Sequence, residues 1–194
     1  MMIAPRTKPA DIRRDELMAA AQALFLAQGY HATSVDAIVR RAGVAKGTFY
    51  LYFKTKDDVL LALRQAFIER FAECLTAAVA GQTGVVALDC WVAAACRYYR
   101  EQRGIHDLVF HQVPTAEGPI YRRNTVNATL MMVLESGVAA GHWPAMPIEP
   151  IGIMLFHAWH GAVNAALFGG DQADGEAVIA LVQRFFRSAI GAPD

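Results

Sequence analysis

Lys46, Thr48, Tyr50 and Tyr52 set four hydrogen-bond donors into a short run around the apolar Phe49. An ammonium, a hydroxyl and two phenols at this spacing suit phosphate oxygens and base edges. Elsewhere the reactive residue types are scattered. No Ser, Cys or Asp falls into a triad signature, and no glycine-rich phosphate loop is present. His157-Ala-Trp-His160 spaces two imidazoles as i and i+3. A metal needs a further ligand, and the spacing is not that of a helical His-Glu-x-x-His motif. These histidines read as pocket lining or as packing. Cys74, Cys90 and Cys96 lack CxxC spacing and read as buried thiols of a reducing cytoplasm. The sequence therefore predicts no catalytic residues, no metal site, no cofactor and no enzyme.

The donors need a scaffold, and the flanking residues supply one. Val35, Ile38, Val39 and Ala42 recur at helical spacing, which predicts a helix over Thr33–Ala42. Ser34 is the expected N-cap, with Thr33 as the alternative, and Asp36 adds charge suited to the positive helix end. Gly43 is placed to close that helix and turn the chain. A second helix, Ala45 to Leu51, is too short to stand alone and must be held by Val44, Phe49 and Phe53. Two short helices joined by a tight turn, with Lys, Thr and Tyr outward, fit a major-groove reading head.

Charge supports the same reading. The formal net charge is zero, yet residues 1–56 hold nine Lys and Arg against four acids, and every lysine lies there. A basic head on an acidic body implies a polyanion partner for the head alone. No apolar run reaches the length of a membrane span. Ile151 to Phe168 comes nearest but is interrupted by His157, His160 and Asn164.

Taken in order, residues 1–10 read as a loose arm. A helix follows over Ala10–Gln28, stopped by Gly29, and then the two short helices. Thr55 is the expected cap of a long helix from Lys56 to Ala80, which links head to body. The body reads as helices over Val85–Arg100, Ile105–Val113, Ile120–Ala140, Glu149–Phe168 and Glu176–Ile190. Loops are expected at Pro114–Pro119, Gly141–Pro147 and Gly169–Gly175. The last two helices are apolar on more than one face. A single-chain core needs one stripe, so a dimer interface or a central buried helix is implied.

Residues 42–60, Ala-Gly-Val-Ala-Lys-Gly-Thr-Phe-Tyr-Leu-Tyr-Phe-Lys-Thr-Lys-Asp-Asp-Val-Leu, resemble the DNA-binding signature of the tetracycline-repressor (TetR) family of transcriptional regulators. Residues 21–35 extend the match in register. Ala37 departs from it, since the family often carries an acid there. The resemblance implies an all-α fold of about nine helices. A three-helix helix-turn-helix DNA-binding domain (1–56, motif 33–52) is joined by a long helix to a ligand-binding and dimerisation domain (57–194). It implies that Lys46, Gly47 and Thr48 face the major groove and that Tyr50, Tyr52 and Lys56 hold phosphates. Thr33 and Ser34 open the first motif helix toward another phosphate, and Val35 offers apolar contact only.

The resemblance also implies a homodimer through the last two helices as a four-helix bundle, and a pocket for an apolar or aromatic effector. Trp91, Tyr98, Tyr99, Phe110, His111, Met131, Trp143, Met154, His157 and Phe168 are its candidate lining, with ordinary core packing as the alternative for each. The expected function is a cytoplasmic, ligand-released repressor on a palindromic double-stranded operator. Two other classes stay open at this point: a small all-helical enzyme with its site in the body, and a DNA-binding architectural protein without a ligand.

Overall fold

The computed structural model describes residues 10–111, 125–168 and 175–192. The expected arm and the loops at 114–119 and 169–174 lie outside the described residues. Within them the regular structure is all helical: α1 (Ala10–Gln28), α2 (Val35–Ala42), α3 (Lys46–Tyr52), α4 (Lys56–Val79), α5 (Gly84–Glu101), α6 (Arg103–His111), α7 (Thr125–Ala139), α8 (Ile148–Phe168) and α9 (Gly175–Ile190). No described helix is long and apolar enough to cross a membrane.

The described residues form two compact units. The first comprises residues 10–67 and 104–111, and the second the remainder. In the first, α2 packs against α1 and α3. Its core is Leu17, Ala21, Phe25, Ile38, Phe49, Phe53 and Val59, all buried. The buried face of α4 continues through Leu60, Leu63 and Phe67 at helical spacing. The start of α4 is a reciprocal cap. Asp58 N–H donates to Thr55 Oγ1 at 3.2 Å, while Asp58 Oδ2 accepts from the Lys54 and Thr55 amides at 2.8 Å each. The expected Thr55 cap is thus present, with Asp58 completing it.

In the second unit α5 packs against α7, α8 and α9. Trp159 and Trp91 are fully buried with ring centroids 6.0 Å apart, and Phe71, Tyr99 and Phe156 surround Trp159. Some of the polar groups that enter this core bond across helices. Trp91 Nε1 donates to Thr129 Oγ1 at 2.8 Å, and Tyr99 Oη to Asn164 Oδ1 at 2.6 Å. Trp143 folds its indole into the notch left by Gly137, where a Cβ would collide with the ring, and its Nε1 donates to the Leu134 carbonyl at 3.0 Å.

Candidate nucleic-acid interface

The α2–turn–α3 pair is built by its caps. Ser34 Oγ accepts from the Ala37 amide at 3.2 Å, so Ser34 is the N-cap of α2. At the other end Gly43 takes φ 67°, a left-handed conformation suited to a residue without Cβ. Its N–H reaches Arg40 O, and the Val44 N–H reaches Val39 O at 3.0 Å, a Schellman closure. That closure sets the angle at which α3 leaves. Phe49 then locks α3 inward, fully buried and 5.8 Å from the Phe53 ring.

With Phe49 inside, the opposite face of α3 is outside. Lys46, Gly47 and Tyr50 are exposed, and Thr48 and Tyr52 are half-buried. A Cβ at Gly47 would meet nothing within 4 Å, so the backbone there is open to close approach. Ser34 is exposed and Val35 half-buried at the head of α2. Lys46 Nζ lies 2.9 Å from Asp36 Oδ1, which ties α3 to α2 across the turn and holds the ammonium above its ordinary pKa. Both side chains of this pair are more than half exposed, so it is a solvent-side clasp that a phosphate can compete for.

Two expected contacts are placed otherwise. Thr33 is 2% exposed, and its hydroxyl donates to Gly29 O at 2.8 Å while accepting from Gln28 Nε2 at 3.2 Å. It braces the α1–α2 turn rather than facing out. Lys56 turns its ammonium back into the same turn, donating to the carbonyls of Tyr30 at 2.9 Å, Thr33 at 3.2 Å and His31 at 3.4 Å. It also sits over the Tyr30 ring, 4.3 Å from its centroid. A lysine at a helix start is drawn to free carbonyls when the preceding turn presents them, and here Lys56 holds the turn.

Leu51 received no role from the sequence, yet it is 80% exposed on α3. The signal was available: it lies two positions after the buried Phe49, and about 200° around a helix is the far face.

The candidate pocket residues divide. Trp91, Tyr99 and Trp143 are buried in the second unit with their polar atoms bonded as above, and Tyr98 stacks on Phe71 at 4.6 Å. Met131 is half-buried, while Met154 and His157 face solvent. Phe110 and His111 belong to the first unit. The side chain of Phe168 lies outside the described residues.

A buried-Phe helix presented at a Schellman turn defines the first unit as a helix-turn-helix module. Residues 17–63 match the family model described as bacterial regulatory proteins, tetR family. Among curated relatives, the fatty acid metabolism regulator protein of Bacillus subtilis (strain 168) is 44% identical over 62 residues, covering 30% of this chain and 32% of the relative. The transcriptional activator FasR of Mycolicibacterium smegmatis is 41% identical over 61 residues, covering 31% and 28%. The alignable part thus spans about a third of these relatives' length. The fold is shared throughout with the fatty acid degradation regulator FadR of Bacillus halodurans, at TM-score 0.69 and 22% identity over the whole of both chains.

Proposed function

We propose that this chain is a DNA-binding transcriptional regulator, a ligand-released repressor that occupies a palindromic operator as a homodimer. The observation that carries the reading is the outward face of α3. Lys46, Gly47, Tyr50 and Leu51 are exposed on a helix whose Phe49 is buried, in the part of the chain that carries the positive charge. Lys46 exchanges Asp36 for a guanine acceptor or a phosphate, and Thr48 and Leu51 pack on base edges or thymine methyls. Tyr50, Tyr52 and Ser34 hold the backbone and fix register.

Pairing is supported by α8 and α9. Met154, His157, Gly161 and Ala165 recur along one exposed side of α8, and Leu181 and Phe185 are each about half exposed on α9. Such a contiguous apolar face on a small helical protein marks an interaction surface. Two readers in one particle suit a two-fold symmetric site. The aromatic interior of the second unit suits an apolar effector, which acts only through its differential affinity for two states. Residues of α4 belong to both units, so that helix is the element through which the effector acts.

Nuclease footprinting of the full-length chain on its own upstream intergenic DNA tests this. A two-fold symmetric footprint over the promoter supports the repressor. A symmetric footprint upstream of the promoter places the chain with activators, as FasR is by name. Uniform protection at all concentrations contradicts sequence-specific regulation.

A further inference from the structure

On α6, apart from the DNA-reading face, three metal-binding side chains converge. His106 Nδ1 lies 3.2 Å from Asp107 Oδ1, and His111 Nε2 lies 3.9 Å from the same oxygen. All three candidate ligand atoms fall within 4.8 Å of one another. We propose that His106, Asp107 and His111 form a binding site for a transition-metal dication of the zinc type.

The spacing suits such an ion. Ligand atoms at about 2.0–2.1 Å from a tetrahedral zinc stand about 3.3 Å apart. The His106–Asp107 pair is already at that separation, and His111 closes the remainder by a small rotation of an exposed side chain. The 3.9 Å gap between Asp107 and His111 is too long for a hydrogen bond and is the right order for two groups flanking a cation.

The site has one rigid and two adaptable ligands. His106 is 7% exposed, its ring packed 4.8 Å from Phe110 and 6.0 Å from Phe67. Arg64 lies over the other neighbour, 5.0 Å from the Phe110 centroid, and keeps that ring in place. Asp107 and His111 are roughly half to two-thirds exposed and give the ion its entry from solvent. To ligate, His106 presents the Nδ1 lone pair and carries its proton on Nε2. One carboxylate and two neutral imidazoles leave a net single positive charge on the bound site, with open positions for water.

The donor set selects the metal class. Two nitrogens and one oxygen favour zinc, nickel, cobalt or copper, whereas magnesium and calcium demand more oxygens. His111 is thereby a metal ligand rather than a lining residue of an effector pocket. All three ligands lie within the first unit.

The test uses the full-length chain, stripped by chelator and dialysed, with Co2+ as a visible probe and Zn2+ as competitor. The expected result is a saturable cobalt d–d absorption at one ion per chain that Zn2+ abolishes. Zn2+ should also raise the melting temperature. His111→Gln and Asp107→Asn alter exposed side chains, and their folding is checked by circular dichroism. Each should weaken binding at least about tenfold. Absence of a saturable band, or binding equal to wild type in both folded variants, would overturn the site and assign any bound metal to other residues.

Discussion

Lys46 and Lys56 are both lysines of the basic head, and their surroundings divide their work. Lys46 is paired with the exposed Asp36, in a solvent-side contact that another anion can displace. Lys46→Ala should weaken operator binding about tenfold while leaving stability unchanged, as read by anisotropy and by urea unfolding. Lys56 is bonded to backbone carbonyls of the α1–α2 turn, so Lys56→Met should act on the fold. A loss of about 1.5–3 kcal/mol in urea unfolding is expected, since hydrogen bonds from a charged donor are the stronger kind. Equal stability of the Lys56 variant would contradict the bracing role. Cys96 supplies a titration test. Burial pushes its thiol up from 9.0 to about 11, against a lesser pull from the Trp159 indole. The folded chain then keeps a proton that the unfolded chain releases. The stabilisation is complete below pH about 9 and lost as pH rises through about 11, by on the order of 2 kcal/mol at the upper end. Cys96→Ala should flatten the unfolding free energy across that range.

At the scale of the elements, most of what positions the reader was legible because it is local. Ser34, Gly43 and Thr55 lie within a few residues of the groups they satisfy, and each was readable as a cap from residue type and place. α5, expected to end at Arg100, runs one residue further, and the Gln102 amide makes its last bond to Tyr98 O at 2.9 Å. Contacts that close over distance were not legible. Lys56 bonds carbonyls 23 to 26 residues away, and backbone acceptors carry no sequence signature. Thr33 and Ser34 are adjacent hydroxyls, and only the course of the turn decides which one is buried. Asp107 and His111 stand at i,i+4 on α6, a spacing open to sequence reading, whereas His106 joins them as the immediate neighbour of Asp107. Trp143 reads equally as pocket lining and as core in the sequence, and it is the notch at Gly137, six residues before it, that makes it core. Gly137→Ala should cost about 1–3 kcal/mol by displacing that indole, measured by thermal or urea unfolding. An unchanged stability would mean the ring relocates freely.

For the whole molecule, the charge asymmetry and the apolar α8–α9 face make one argument. On the proposed reading a single short helix would give the basic head little affinity for DNA, and pairing would multiply the contact. Phe185→Glu places a charge on the exposed face of α9 and should convert a dimer to a monomer in light scattering, with loss of operator affinity. A dimer that survives the change would move the pairing surface elsewhere. The central claim is that α3 reads sequence, and an anisotropy titration tests it most directly. The full-length chain is titrated against its upstream intergenic DNA and against a scrambled duplex, at two salt concentrations, as wild type and as Lys46→Ala. The account predicts tight binding to the native sequence, two or more chains per site, and steeper weakening with salt for wild type than for the variant. Equal affinity for native and scrambled DNA at both salts, unaltered by Lys46→Ala, would contradict it.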